Sequence, residues 1–324
     1  MRIRPVTAVT GALLGLSLSV AALVASPAQA AERSGATTRP RVPVTIGHRG
    51  VPVLAPENTL ASIDKAARMG IGWVENDVQR TRDGALVVMH DTTLERTTDV
   101  KKRFPRRAPW KVGDFTLAEI ESLDAGSWYD HRFAGERVPT LSRYLQRVDH
   151  NGQRLLLEIK APELYPGVER QITAELRRAG WLDDRHVRDR LIVQSFNATS
   201  LKTFHALRPD VTTGFLGAPK PAELRSYARF VDQINPDYHG VTASWVRSVH
   251  ALKGPHGRRL QISAWTVDDP RKAVSLAHLG VDGIITNAPH LIKAALADDA
   301  DGRFTGADLP ESSFMTLTDD IDAP

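Results

Sequence analysis

The sequence of 324 residues contains no cysteine. This absence excludes a disulfide framework, a thiolate metal site, a cysteine nucleophile and a lipidated N-terminal cysteine. Apolar runs that approach the length of a membrane span occur only near the N-terminus, and no glycine-rich nucleotide fingerprint follows the first predicted strand. Hydrophobic residues (42%) and charged residues (25%) are otherwise present in ordinary globular proportions, which excludes collagen-like and wholly disordered chains.

The first thirty residues have the pattern of a secretory signal peptide. Two arginines precede a nearly uncharged stretch that ends at a small-x-small pattern over residues 28–30. An uncleaved anchor helix is the alternative, but the apolar stretch is short and is interrupted by Gly and Ser. We therefore expect cleavage between Ala30 and Ala31, a polar linker over residues 31–42, and a secreted mature protein without stable membrane insertion.

Charge is distributed unevenly along the chain. The net charge is +4, yet the segment 298–324 holds eight acidic residues and one arginine. We predict that this segment is an acidic, disordered tail outside the folded domain. The remaining body is basic, which suits an anionic small molecule. It carries neither a nucleic-acid recognition motif nor a basic face interleaved with aromatics, so no nucleic-acid partner is expected, and the oligomeric state is left open.

Short apolar segments alternate with helical patterns over about 250 residues. This alternation favours an α/β fold with a closed (β/α)8 TIM barrel over residues 43–297, rather than an open sheet. The predicted strands are residues 44–47, 73–78, 85–89, 155–159, 191–194, 212–216, 261–266 and 283–286.

One stretch departs from this repeat. Residues 92–150 are charged and turn-rich, with only one clear helix, around Glu119. We predict a small insertion after the second strand region. Inserted segments at the active face of a barrel usually shape access for the substrate.

Three acidic residues are expected to meet at the mouth of the barrel. Glu75 and Asp77 are two apart on one predicted strand and therefore share a face, and Glu158 ends another strand. The mutual repulsion of three such charges predicts that a cation binds among them. Oxygen ligands without cysteine predict a hard divalent ion, Mg²⁺ or Ca²⁺, and extracellular calcium slightly favours Ca²⁺.

The neighbouring residues supply what a phosphodiester needs. His48 and His90 can act as acid and base on opposite sides of a phosphorus atom, while Arg49 and Lys160 can bind its non-bridging oxygens. Each element alone has an ordinary explanation, such as a solvated carboxylate pair or a surface ion pair. Their conjunction at the ends of predicted strands favours a phosphoryl-transfer site.

The same residues lie in motifs that resemble the opening and the later strands of the glycerophosphodiester phosphodiesterases. The resemblance spans about residues 44–295. The motifs, in chain order, are IGHRG (46–50), PENT (56–59), ENDV (75–78), TRDG (81–84), HD (90–91), LERTT (94–98), VPTL (138–141), LEIK (157–160), QSF (194–196), WTV (265–267) and VDGIITN (281–287).

This resemblance implies a TIM-barrel hydrolase that cleaves glycerophosphodiesters, such as glycerophosphocholine and glycerophosphoethanolamine, to sn-glycerol 3-phosphate and an alcohol. It further implies a role for each matched position. The implied metal ligands are Glu75, Asp77 and Glu158; the implied acid/base pair is His48 and His90; the implied phosphate-binding residues are Arg49 and Lys160; the implied supporting residues are Glu57, beside Arg49, and Trp265, near the glycerol pocket.

One departure from the family pattern is Asn287, where an Asp is commoner; it is expected to lie outside the metal and acid/base set. His90 is favoured as the acid. Two rival functions remain: a secreted phospholipase C/D-like enzyme that acts on intact lipids, and a non-catalytic barrel that only binds phosphorylated ligands. The first requires an exposed apolar lip, and the second predicts a broken metal or histidine set.

Overall fold

The computed structural model describes residues 42–306. Short segments rich in aliphatic and β-branched residues form nine strands within this part of the chain. They are β1 (Val44–Gly47), β2 (Trp73–Arg80), β3 (Leu86–Val88), β4 (Arg154–Ile159), β5 (Leu191–Ser195), β6 (Thr212–Leu216), β7 (Gln233–Asn235), β8 (Gln261–Ala264) and β9 (Gly283–Thr286).

Eight of these strands, all except β3, run parallel and close into a barrel. Each pairs with its neighbour in a parallel ladder, and β9 returns to pair with β1, where Ile285 lies opposite Ile46. Both faces of such a sheet are buried, which explains the nearly continuous apolar runs in the sequence. The predicted (β/α)8 TIM barrel is confirmed.

Helices follow the strands along the chain. They are α1 (Leu60–Arg68), α2 (Val100–Arg103), α3 (Leu117–Glu121), α4 (Leu141–His150), α5 (Val168–Arg178), α6 (Asp184–Asp189), α7 (Ala198–Leu207), α8 (Leu224–Tyr227), α9 (Ala243–His250), α10 (Pro270–Leu279) and α11 (Pro289–Ala300). Local capping defines several ends: the side chains of Thr59 and Asn197 accept from first-turn N–H groups of α1 and α7. Gly280, with φ of 95°, ends α10 in the left-handed region.

Alternation along the strands separates an outer core from the barrel interior. In β4, Leu155, Leu157 and Ile159 belong to the core beneath the helices, whereas Leu156 packs inside the barrel with Ile46 and neighbouring isoleucines. Side chains two apart share a face. Glu158 therefore follows Leu156 on the interior, at the carboxyl end of the barrel.

Two strand predictions are corrected. The segment predicted over residues 85–89 is β3, which runs antiparallel to the outer end of β2, with Val88 opposite Val78. It is therefore not a barrel strand. The barrel strand that the prediction omitted is β7, whose three residues include two amides and carry no apolar pattern; its pairing with β6 and β8 forms it.

The insertion is also shorter than predicted. The last ten residues of the segment 92–150 form α4, which packs its Leu141, Tyr144, Leu145 and Val148 into the outer core of the barrel. Those four positions have helical spacing that the surrounding charged residues obscure. The insertion lies between β2 and α4, and it has a core of its own that includes Leu94, Phe115 and other buried apolar residues.

The ends of the domain are only partly described. The predicted signal peptide (1–30) and nearly all of the linker (31–42) lie outside the described residues, as do residues 307–324 of the predicted tail. The boundary predicted at residue 297 is three residues early, because α11 continues to Ala300, and Asp298 pairs with Arg303. Between residues 42 and 306, no helix is both long enough and apolar enough to cross a membrane.

Candidate active site

Three carboxylates converge at the carboxyl end of the barrel. Asp77 of β2 lies opposite Glu158 of β4 in the parallel register, and Glu75 shares the inward face of β2. One oxygen from each of the three side chains lies within 4.8 Å of the others, and all three residues are at least 95% buried. Strand pairing therefore brings together the cluster that the sequence predicted.

The electrostatics of this cluster fit a bound cation. Burial, together with the charges of Asp77 and Glu158, raises the pKa of Glu75 well above its usual range, and burial raises the pKa of Glu158 to about 7. Burial alone would raise the pKa of Asp77, but the charges of His90, Lys160 and Arg49 hold it well below its ordinary value. Asp77 Oδ1 is buried without a hydrogen-bond partner. A divalent ion would satisfy this oxygen and relieve the mutual repulsion.

Arg49 is held over the cluster by a tight turn after β1. Its φ of 52° is unusual for a residue with a side chain, and its backbone N–H donates to Glu75 Oε2 at 2.9 Å. The guanidinium donates to Glu57 Oε1 at 3.0 Å and lies 3.5 Å from Asp77 Oδ2. Glu57 therefore restrains the orientation of the Arg49 guanidinium.

His48 directly follows β1 and lines the same cavity as Glu75 and Glu158. Its backbone N–H donates to the carbonyl of Thr286, and its Nδ1 lies 2.9 Å from Oδ1 of Asn287. Burial and the adjacent charge of Arg49 lower the pKa of His48 well below its usual value. Asn287 thus contacts one member of the predicted acid/base pair, His48.

His90 reaches the mouth by a different route from the one predicted. It follows β3, whose antiparallel direction carries the chain back along β2, so that the N–H of Met89 donates to the carbonyl of Asp77 at 2.9 Å. The side-chain amide of Gln79 donates to the carbonyls of Met89, His90 and Asp91 and anchors this segment. The position of His90 therefore depends on a returning strand rather than on the carboxyl end of a barrel strand.

Two polar groups hold the His90 ring. Its Nδ1 lies 2.8 Å from Asp91 Oδ1, and its Nε2 lies 2.8 Å from Lys160 Nζ. Lys160 in turn lies 3.3 Å from Glu158 and 3.7 Å from Asp77, so that a single cation connects the histidine to the acidic cluster.

The guanidinium of Arg96 connects the residues around His90 with the residues around Arg49. Its guanidinium donates to both oxygens of Asp91 and to both oxygens of Glu57, with all four distances at 2.8 Å. An unbroken chain of hydrogen bonds therefore runs from His90 through Asp91, Arg96 and Glu57 to Arg49. Sequence reasoning included Arg96 only as a letter of a motif, because nothing local shows that it bridges two carboxylates.

A cavity of about 330 Å³ opens at this end of the barrel. Its lining combines the polar side chains of His48, Arg49, Glu75, His90, Glu158 and Lys160 with the apolar side chains of Phe196, Leu216 and Trp265. The indole N–H of Trp265 donates to the carbonyl of Asn235 at 2.8 Å, and its ring meets Phe196 edge to face at 5.4 Å. This mixture of charged and apolar side chains suits a ligand with an anionic group and a short carbon chain.

Comparison with known proteins now decides the family. A sequence model of the Glycerophosphoryl diester phosphodiesterase family matches residues 48–291. The chain belongs to this family. The resemblance predicted from the motifs is therefore confirmed, and the protein is a phosphoric diester hydrolase of the metal-dependent kind.

The alignments with individual members of the glycerophosphoryl diester phosphodiesterase family extend over nearly the full length of those proteins. A glycerophosphodiester phosphodiesterase of Bacillus subtilis is 33% identical over 294 residues, which cover 86% of this chain and 95% of that protein. One from Caldanaerobacter subterraneus is 32% identical and covers 77% and 96%, respectively. A solved phosphodiesterase of Oleispira antarctica, in complex with the product sn-glycerol 3-phosphate, aligns with a TM-score of 0.67 and 30% identity over 79% of this chain and 97% of its own.

Proposed function

We propose that this protein is a secreted glycerophosphodiester phosphodiesterase that releases sn-glycerol 3-phosphate and an alcohol by histidine acid/base catalysis. The observation that carries the proposal is a cavity lined by His48, His90, Glu75 and Glu158, with Asp77 completing the carboxylate cluster. Family membership supports the reaction class. The Oleispira antarctica structure, solved with sn-glycerol 3-phosphate, supports a small glycerophosphodiester as substrate.

The residues divide the reaction among themselves. Arg49 and Lys160 bind non-bridging oxygens of the phosphate. One histidine removes a proton from the attacking hydroxyl, and the other protonates the oxygen of the departing alcohol as its bond to phosphorus breaks. We assign the acid to His90, whose Nδ1 lies 2.8 Å from the carboxylate of Asp91. The attacking hydroxyl belongs either to water or to the substrate's own glycerol, which would pass through a cyclic phosphate.

The three carboxylates would hold the divalent cation. A bound cation supplies charge neutralisation at the phosphate and aligns the diester for in-line attack. We propose Ca²⁺ rather than Mg²⁺, because the signal-peptide pattern directs the protein to a calcium-rich extracellular environment.

Soluble deacylated diesters fit the site better than intact lipids do. The insertion beside the mouth carries an exposed basic run, Lys101 to Arg103, rather than a continuous apolar lip. Its aromatic residues pack mainly on one another, as Tyr129 does against Trp128 and Phe133. These features favour glycerophosphocholine or glycerophosphoethanolamine over a phospholipid bilayer.

The test measures release of sn-glycerol 3-phosphate from glycerophosphocholine by residues 31–324. The protein is stripped with chelator and then resupplied with Ca²⁺ or Mg²⁺ in separate reactions. We expect activity to disappear on stripping, to return best with Ca²⁺, and to be far weaker on phosphatidylcholine liposomes. The variants His48→Asn and His90→Asn should lose activity, and His131→Asn, whose side chain is 93% exposed, serves as the matched control.

Three results would contradict the proposal. Hydrolysis of liposomes in preference to glycerophosphocholine would indicate the phospholipase function. Full activity in both histidine variants would overturn the acid/base assignment. Binding of sn-glycerol 3-phosphate without turnover of either substrate would favour the non-catalytic barrel.

A further inference from the structure

A buried amide and a carboxylate stand behind His48, on the Nδ1 side of its ring. Asn287 is 1% exposed, and its Oδ1 lies 2.9 Å from His48 Nδ1. Its Nδ2 donates to Asp268 Oδ2 at 2.9 Å. The other oxygen of Asp268 accepts from the backbone N–H of Asn287 at 2.7 Å and from Thr286 Oγ1 at 2.9 Å.

This arrangement determines which way the amide of Asn287 faces. A carboxylate only accepts hydrogen bonds, so the NH₂ group of Asn287 must face Asp268, and the carbonyl oxygen must face His48. An oxygen in that position accepts from Nδ1. The proton of a neutral His48 ring therefore lies on Nδ1, and the lone pair lies on Nε2, which is free to face the cavity.

The two histidines of the site have different groups behind them. His90 is backed by the charged carboxylate of Asp91, whereas His48 is backed by a neutral amide. An amide orients a ring without adding charge. The environment of His48 therefore suits a group that begins the reaction neutral and accepts a proton.

We propose that Asn287, locked by Asp268, is a positioning residue that holds His48 in the Nδ1–H tautomer and so presents Nε2 as the base of the reaction. This inference rests on the proposed function. The O–H bond of the attacking hydroxyl breaks, its proton moves to His48 Nε2, and the oxygen forms the new bond to phosphorus. His90 gives its proton to the departing alcohol, and exchange with solvent then restores both rings.

The substitution Asp268→Asn tests whether Asp268 fixes the orientation of the Asn287 amide, and it changes the shape of the side chain very little. The oxygen of the new amide would occupy the position that accepts from two donors, Thr286 Oγ1 and the N–H of Asn287. Its NH₂ would then face the side chain of Asn287, which must rotate to present its own oxygen. The NH₂ of Asn287 would now face His48 and would force the proton from Nδ1 to Nε2.

Two measurements detect the expected change of tautomer and its effect on the reaction. In histidine-labelled, metal-free protein, ¹⁵N spectra report the tautomer, with His48 identified by the signals lost in His48→Gln. We expect Nδ1 to change from a protonated to an unprotonated nitrogen in Asp268→Asn. In the metal-loaded enzyme, kcat should fall about 100-fold or more while KM changes little, because the base has lost its acceptor rather than its contact with substrate.

Two further variants keep the test independent of folding defects. Asp269→Asn makes the same chemical change one residue along, at the N-cap of α10, where an asparagine caps equally well, and it should leave kcat and the tautomer unchanged. The double variant Asp268→Asn with Asn287→Asp reverses the pair, so that a carboxylate again accepts from Nδ1. It should restore the Nδ1–H tautomer and recover at least about tenfold in kcat.

The possible results separate the two proposals. A His48 that keeps its proton on Nδ1 in Asp268→Asn overturns the inference, whatever happens to kcat. A double variant that restores neither the tautomer nor kcat overturns the positioning role of the Asp268–Asn287 pair. Wild-type protein that has the expected tautomer but cleaves no glycerophosphodiester contradicts the proposed function and leaves the tautomer assignment in place.

Discussion

The two sides of the cavity mouth are built in different ways. On the barrel side, β1, β2 and β4 present His48 and the three carboxylates through parallel backbone ladders. On the insertion side, His90 is placed by a returning strand and is connected to the rest through Asp91, Arg96 and Glu57. Backbone pairing fixes positions by register, whereas ion pairs fix them by charge. Loss of a neighbouring charge should therefore shift the position of His90 more than the positions of the barrel-side residues.

The two sides also differ in what they do with charge. The barrel side concentrates negative charge without a matching protein cation for each group, which raises the pKa of Glu75 through burial and repulsion. The insertion side balances its carboxylates against Arg96. The first arrangement is completed by a ligand, and the second is complete in the protein alone.

The largest expected effect comes from the barrel side. Asp77→Asn removes one charge and one ligand oxygen without changing shape, so metal affinity should fall sharply and kcat/KM should drop on the order of 1,000-fold. Calorimetric titration with Ca²⁺ and the release of sn-glycerol 3-phosphate measure both effects. Asp184→Asn, on the exposed first turn of α6, is the matched control. Unchanged calcium affinity in Asp77→Asn would show that the cluster is not the metal site.

An intermediate effect is expected on the insertion side. Arg96→Met leaves Asp91 and Glu57 without their shared cation, so the His90 ring loses its fixed orientation and kcat should fall about 10- to 100-fold. Arg96→Lys keeps the charge but not the planar fork, so its kcat should lie between those of the wild type and of Arg96→Met. Steady-state kinetics and thermal unfolding of the same samples separate catalysis from stability. The comparison of the two sides fails if Arg96→Met behaves like Arg132→Met, a change at a largely exposed arginine.

The smallest expected effect concerns the insertion away from the cavity. The carboxylate of Asp124 accepts from the N–H groups of Gly126, Ser127 and Gly135. Burial alone would raise the pKa of Asp124, but these hydrogen bonds hold it at about 2. Asp124→Asn should lower the free energy of unfolding by about 1 kcal/mol at pH 7 and leave kcat nearly unchanged.

The pH dependence of this stabilisation follows from the direction in which folding shifts the pKa of Asp124. Because the folded-state pKa of Asp124 lies below its unfolded value, the stabilisation is present above about pH 4 and is lost as the pH falls toward 2. Urea unfolding at pH 7, 4 and 3 should show the gap between wild type and variant narrowing in acid. A gap that stays constant across this range would mean that the hydrogen bonds of Asp124 do not depend on its charge.

The sequence predicted much of the site because several of its residues obey local rules. Glu75 and Asp77 share a face through the two-residue period of a strand, and so do Glu158 and Lys160. The caps at Thr59 and Asn197 and the glycine after α10 are equally local. The sequence prediction omitted β7, because three residues with two amides carry no strand pattern. It counted α4 as part of the insertion, because charged residues mask the apolar face of that helix.

Local patterns in the sequence thus determined the barrel, the family motifs and the convergence of the three carboxylates. Only the tertiary structure decided how His90 arrives at the mouth, that Arg96 bridges two carboxylates, and that Asn287 stands behind His48 with Asp268 behind it. The physical reason is range. Periodicity and capping act over a few residues, whereas the contact between His48 and Asn287 spans 239 positions and exists only once the barrel has closed.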